Sequence, residues 1–313
     1  MKTKYYIIAV VLLLLIVLMF LLSKSHRKDT VNIWCVTMLP SSDSIELQSR
    51  LENSLRNLSG KKRIIFEAKN PLGDTNALNV ILSDANCGKA DLLIVLESCV
   101  AREAYNTVRN IPVVYGMVPY PKECGLLAER LNAAPFVGVG EQAPGEQYCS
   151  ELARLDKKWN EIGIVLPKGC VDADAEAKAI SSVFSEKFGS RMQTLTIDAK
   201  TCAQLMDVVS AYNLILSKKM ELYYVINDGA ISKYLQVFMK PCLSRGIPVI
   251  GGGRQTIDQG GLLAIVPDTE SRIDQCSRLI CRVLSGQACS NEMISKYDVL
   301  WNTNTLAELG FSK

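Results

Sequence analysis

The chain carries one pattern twice, and that repetition narrows its possible folds. The first copy is Ala90-Asp91-Leu92-Leu93-Ile94-Val95-Leu96, the polar pair Glu97-Ser98, a stretch of helical length, and Ile111-Pro112-Val113-Val114-Tyr115. The second is Glu221-Leu222-Tyr223-Tyr224-Val225-Ile226, the polar pair Asn227-Asp228, another helical stretch, and Ile247-Pro248-Val249-Ile250. Short apolar runs bounded by turn residues and separated by helices are parallel strands of βαβ units. Ligands of such sheets bind beyond the carboxyl ends of the strands, which places both polar pairs at rims. Two Rossmann-like α/β lobes of parallel sheet, flanked by helices and facing each other across a cleft, follow.

The 313 residues are enough for two lobes of ordinary size, but only if little of the chain is spent elsewhere. One stretch is spent elsewhere. Tyr5 to Leu22 has no charged residue, and as a helix it spans ~27 Å, about one hydrocarbon core. The stretch is a cleaved signal peptide or an uncleaved single-pass anchor, and Leu21-Leu22-Ser23-Lys24-Ser25 offers no good small-x-small cleavage site, which favours the anchor. Lys2 and Lys4 before it nearly balance Lys24, Arg27 and Lys28 after it, so charge does not set the topology. The expected division is residues 1–29 as membrane anchor or signal segment, 30–140 plus 268–292 as lobe 1, and 141–267 plus 293–313 as lobe 2.

Several function classes are excluded. The net charge is +3 and the one basic tract, Ser25-His26-Arg27-Lys28, flanks the anchor, which argues against nucleic-acid binding. His26 is the sole histidine, so the body of the protein has no Ser–His or Cys–His nucleophile pair and is expected not to be an enzyme. Eleven scattered cysteines contain no C-x-x-C pair, leaving no zinc or dithiol motif and no cofactor implied. Cys35, Cys99 and Cys281 stand in apolar contexts, where cysteine behaves as a small hydrophobe.

In order, Val31–Thr37 reads as a strand. Asp43 with Glu46 reads as a capping box opening a helix with Leu47, Leu51, Leu55 and Leu58 on one face. Lys62–Ala68 is a strand and Thr75–Asn86 a helix. Tyr115–Pro121 is a proline-broken loop, and Phe136–Val139 a strand, with Gly140–Gly145 crossing between lobes. Ile162–Leu166 and Gln193–Ile197 are strands, and the helix between them shows Ala177, Ile180, Phe184 and Phe188. Leu205, Val208, Val209 and Tyr212 mark a further helix, Leu262–Val266 a strand, and Ile273–Leu284 a helix ended by Gly286.

Candidate ligand contacts lie at the predicted rims. Ser98 opens a helix, where its hydroxyl either caps a backbone N–H or, with that terminus, receives a carboxylate. Asp228 is a turn former or the partner of a ligand ammonium. Tyr115 and Tyr120 offer aromatic walls. Arg254 after Gly251-Gly252-Gly253 is either an anion contact or a surface residue after a tight turn, since the glycines match no phosphate-binding fingerprint. Ser41, Glu97, Cys99 and Asn227 complete the set.

Asp91-Leu92-Leu93-Ile94-Val95-Leu96-Glu97-Ser98-Cys99-Val100-Ala101 resembles the "D-L-I-V-A-x-G-T-x-A-A" stretch of a group of ABC-transporter substrate-binding proteins. Ile111-Pro112-Val113-Val114, Val118-Pro119-Tyr120-Pro121, Val137-Gly138-Val139, Val225-Ile226-Asn227-Asp228, Leu284-Ser285-Gly286 and Ala307-Glu308-Leu309-Gly310 are similar to its later motifs, in order. The resemblance implies the type I periplasmic-binding fold, with an extracytoplasmic (periplasmic) domain at the inner membrane. It also implies a small-molecule ligand, an amino acid by analogy with relatives, and an ABC permease as partner. A ligand-sensing module with a membrane sensor partner, or a degenerate structural member of the fold, are the alternatives. Departures fall at the cleft: Glu97 replaces a glycine, Ser98 a threonine and Tyr120 an aspartate. Ile273 replaces a glycine, and Met38–Ser42 lacks the usual histidine-proline and aspartate.

Overall fold

The computed structural model describes residues 30–58, 63–197, 205–226, 231 and 235–311. Tyr5–Leu22, Asn227 and Asp228 lie outside the described residues, and among those described no helix is long and apolar enough to cross a membrane.

Two six-stranded sheets carry the fold. The first contains β1 (Thr30–Val36), β2 (Arg63–Lys69), β3 (Leu92–Leu96), β4 (Val113–Val118), β5 (Phe136–Gly140) and β11 (Glu292–Met293). The second contains β6 (Glu161–Pro167), β7 (Arg191–Ile197), β8 (Leu222–Val225), β9 (Val249–Gly251), β10 (Leu263–Pro267) and β12 (Tyr297–Trp301). Their orders are β2-β1-β3-β4-β5-β11 and β7-β6-β8-β9-β10-β12, the same doubly wound sequence twice. All pairs are parallel save β10 with β12. The two repeats of the sequence are the centres of these sheets. β3 is buried at all five positions and β8 at all four, as parallel strands covered on both faces must be.

Helices cover both faces. In lobe 1, α1 (Ser42–Leu58) buries Leu47, Leu51 and Leu55 completely, each stabilising the lobe by about 1.5–3 kcal/mol, whereas Leu58 is exposed. The residues that open α1 correct the sequence reading. Ser41 donates its N–H to Ser44 Oγ (2.9 Å), and Ser44 donates its own to Ser41 Oγ (3.1 Å). That reciprocal pair is the capping box, one turn built by two serines in place of Asp43 and Glu46. α2 (Thr75–Asp84) is capped by Asp74 and runs into a π-helical turn, Ala85–Lys89. α3 (Ser98–Thr107) follows β3.

In lobe 2, α4 (Gly145–Ala153) and α5 (Val171–Phe188) pack on one face, and α6 (Leu205–Leu216) and α7 (Leu235–Ser244) on the other. α8 (Arg254–Asp258) is a single turn. α9 (Thr269–Leu284) returns to lobe 1 and buries Ile273, Cys276, Leu279, Ile280 and Val283 there, while α10 (Thr303–Glu308) closes lobe 2 with Leu306. Every cysteine among the described residues is a free thiol; Cys35 and Cys276 are buried, and Cys99 is exposed rather than core.

The chain passes between the sheets three times, after β5, after β10 and after β11. These crossings are tied together. Arg272 Nε lies 2.8 Å from Glu141 Oε1 with both side chains only 10% exposed, and Tyr297 donates its hydroxyl to Gln142 O at 2.5 Å. Asp268 N–H donates to Lys296 O at 2.9 Å.

Candidate functional site

In each sheet the strand order reverses beside the first strand, between β1 and β3 in lobe 1 and between β6 and β8 in lobe 2. Loops leaving neighbouring strands at such a switch point diverge and leave a crevice, which is where ligands of open α/β sheets bind. In lobe 1 the crevice is bounded by residues 37–41 and by Glu97-Ser98. In lobe 2 it is bounded by Lys168–Cys170, after β6, and by Ile226, after β8.

Glu97 bridges the lobe 1 crevice. Its Oε2 accepts the Met38 N–H at 3.2 Å, across the gap between the two loops. Its backbone, at φ 74° and ψ 147°, lies in a region that glycine occupies freely and other residues avoid. The chain thus keeps a glycine conformation here while carrying a glutamate, which accounts for the departure noted in the sequence.

Ser98 is the first residue of α3 and is 8% exposed. Its hydroxyl lies beside the Cys124 thiol without hydrogen-bonding geometry and has no other partner. It therefore does not cap its own helix. Cys99 and Cys124 both lie within electrostatic reach of Asp172, near the start of α5 in lobe 2, so the mouth of α3 faces that helix across the cleft. Cys170, which precedes α5, donates its thiol to Asp172 Oδ1 at 2.7 Å.

Tyr120 is buried on the lobe 1 wall, and its hydroxyl is raised in pKa first by burial and next by the charge of Glu176, on α5 opposite. The Ala143 backbone lies near this hydroxyl, which has no hydrogen-bond partner of good geometry.

Other predicted contacts lie elsewhere. Tyr115 does not reach the cleft. The stretch read as a loop is the end of β4, with a register shift between Tyr115 and Val118 and Met117 at φ 54°. Tyr115 therefore points into the lobe 1 core, fully buried, donating its hydroxyl to Asn291 Oδ1 at 2.9 Å. A Cβ on Gly138 would stand 2.3 Å from its ring, so the glycine makes room for it. Ser41 is committed to the α1 cap. Arg254 is exposed at the start of one helical turn, and Gly251 before it allows close packing, since a Cβ there would lie 2.5 Å from Val225 O. Asn227 and Asp228 lie outside the described residues. Two open surface hollows, on the outer face of α5 and between α1 and α9, touch no candidate residue.

The residue that sequence reasoning missed is Glu176. It is 6% exposed, with Oε1 accepting the Tyr224 hydroxyl at 2.7 Å. The signal was present: Glu176 precedes Ile180 and Phe184 by one and two turns, a carboxylate on an apolar helical stripe.

The sequence model of the ABC transporter substrate binding protein family matches residues 35–311. The chain belongs to that family. Its members are solute-binding proteins, and the substrate-binding role with an ABC transporter as partner comes with membership. A tyrosine-binding protein of Clostridioides difficile (strain R20291) is 21% identical over 254 residues, covering 80% of this chain and 72% of its own. Among solved structures, a Streptococcus pneumoniae domain in complex with L-Trp superposes with a TM-score of 0.78 at 16% identity, covering 90% of this chain and 95% of its own. A ligand-free, open substrate-binding protein with adhesive properties from Clostridium difficile gives 0.70 at 18% identity, covering 90% and 96%. The fold of this substrate-binding protein is accordingly the type I periplasmic-binding fold.

Proposed function

We propose that this protein is a membrane-anchored, extracytoplasmic receptor, not an enzyme, that captures an amino acid between its lobes for an ABC permease. The observation that carries the ligand class is Ser98. Ser98, buried with its hydroxyl beside the Cys124 thiol, opens a ten-residue helix at the switch point, and the neighbouring Cys99 lies within electrostatic reach of Asp172 in the other lobe. The N–H groups of the first turn and the helix dipole there suit a carboxylate, with Ser98 Oγ adding a donor. The opposite wall carries Asp172 and Glu176, so the cleft pairs an anion-receiving end with an acidic end, complementary to a zwitterion. Tyr120 supplies an aromatic side wall, and two relatives are named for tyrosine or solved with tryptophan.

Capture is a population shift: contacts made by both walls at once exist only when the lobes close, so ligand favours the closed state. The apolar run Tyr5–Leu22 supports the anchor, and the family supports the outward-facing domain.

Calorimetry of the detergent-solubilised full chain against the twenty amino acids and a set of neutral sugars tests the ligand class. An amino acid should bind, and Ser98→Ala should weaken it by about 2- to 12-fold, the worth of one hydrogen bond. Binding of a sugar in place of every amino acid would sink the proposal.

A further inference from the structure

Glu176 is out of place by the usual logic of cores. It sits on α5 in line with Ala173, Ala177, Ile180 and Phe184, all packed inward. Tyr224 donates to it, and Tyr224 stands edge-on to Tyr148 with ring centroids 5.4 Å apart. The Tyr148 hydroxyl is itself committed, donating to Gly251 O at 2.6 Å and accepting the Ile265 N–H at 2.9 Å.

The titratable groups around Glu176 are Tyr224 and Tyr148 from lobe 2, Tyr120 from lobe 1, Tyr297 from a crossing, and Asp172 one turn earlier on its own helix. None is basic, and among the described residues no lysine or arginine pairs with Glu176. Taking a carboxylate out of water with one tyrosine as its donor is unfavourable, and a glutamine would satisfy Tyr224 equally well. The lobe's own packing gives no reason for the charge. The location does: Glu176 meets Tyr224 at the lobe 2 switch point, and its charge reaches Tyr120 of lobe 1.

We infer that Glu176 is the cation-recognising residue of the cleft, receiving the ammonium group of an amino acid whose carboxylate lies at the N-terminus of α3. The inference rests on the proposed capture of an amino acid and deepens it. It assigns to a residue of α5 a role that the sequence pattern gives to Asp228.

A pH signature follows. Burial holds the Glu176 carboxyl at a pKa of about 7, against the hydrogen bond from Tyr224 and with a smaller push from Asp172. Pairing with an ammonium requires the ionised form, so capture releases about 0.9 proton per ligand at pH 6 and about 0.1 at pH 8, and affinity falls towards tenfold per pH unit below 7.

The experiment uses the detergent-solubilised full chain and two probes. One is the L-amino acid that binds most tightly; the other is the same molecule without its amino group. For an aromatic ligand these are L-tyrosine and 3-(4-hydroxyphenyl)propionate. Calorimetry at pH 6 in two buffers of different ionisation enthalpy counts protons released. At pH 8, where Glu176 is ionised, wild type should prefer the amino acid by about 30-fold or more, and at pH 6 its binding should release close to one proton. Glu176→Gln, which keeps the bond to Tyr224 and removes a buried charge, should lose that preference and the proton release, while binding the deaminated probe as wild type does. A merely structural role would weaken both probes alike. Unchanged amino-acid affinity in Glu176→Gln, or wild-type binding without proton release, overturns the assignment and leaves amino-acid capture standing. Loss of the preference in Asp228→Ala but not in Glu176→Gln also overturns it. If wild type binds no amino acid, both readings fall.

Discussion

Glu97 offers a test in which the usual order of two substitutions should invert. At an ordinary position alanine is more stable than glycine by about 0.5–1 kcal/mol, because glycine leaves more backbone freedom to lose on folding. Here φ is 74° and ψ 147°, a conformation that costs a non-glycine residue about 1–3 kcal/mol. Both Glu97→Ala and Glu97→Gly remove the carboxylate that accepts the Met38 N–H, a shared loss of about 1 kcal/mol. Only glycine also releases the strain. Subtracting the glycine entropy from that release leaves Glu97→Gly more stable than Glu97→Ala by about 1 kcal/mol. Urea unfolding followed by tryptophan fluorescence should separate the midpoints by about 0.3 M, given a slope near 3 kcal/mol/M for a chain of this size. Trp34, on β1 beside the mutated loop, reports on lobe 1. If the alanine variant is as stable as the glycine variant or more so, the backbone at this rim is not strained.

Arg272→Ala should strand the buried Glu141 carboxylate at the crossings and cost about 3–5 kcal/mol, read as a fall in melting temperature of roughly 10 °C; a loss below about 1 kcal/mol would show the pair to be solvated. Protease added outside intact spheroplasts should cleave the globular domain, and its protection until the membrane is lysed would reverse the proposed topology.

Much of the architecture was legible because parallel strands covered on both faces must be continuous apolar runs, and Leu92–Leu96 and Leu222–Val225 are such runs. The edges were harder. β11 is two residues long, and β12 is half-buried along its whole length, so neither shows a buried-strand pattern. Tyr115 was misplaced because Pro119 and Pro121 read as breaking the whole stretch, whereas β4 continues to Val118 through an irregular register. The rim at Glu97-Ser98 was found from the turn pair after β3. Ser41 was not separable from the cleft, because its commitment to Ser44 is a matter of three-dimensional geometry. Glu176 escaped notice because the apolar residues around it define the helix face well enough without it.

The route of the chain has a consequence for how the molecule can be made. Lobe 1 begins at β1, yet its core is completed by α9 and its sheet by β11, more than two hundred residues later. Lobe 2 in turn awaits β12 and Leu306 on α10. Contacts of such long sequence separation form slowly, because the intervening loop must close before they contribute. A chain emerging from its N-terminus therefore can complete neither lobe until its last tenth has appeared, although the cluster built from Trp34 to Phe136 needs nothing that follows it. Until then one face of each sheet stays only partly covered.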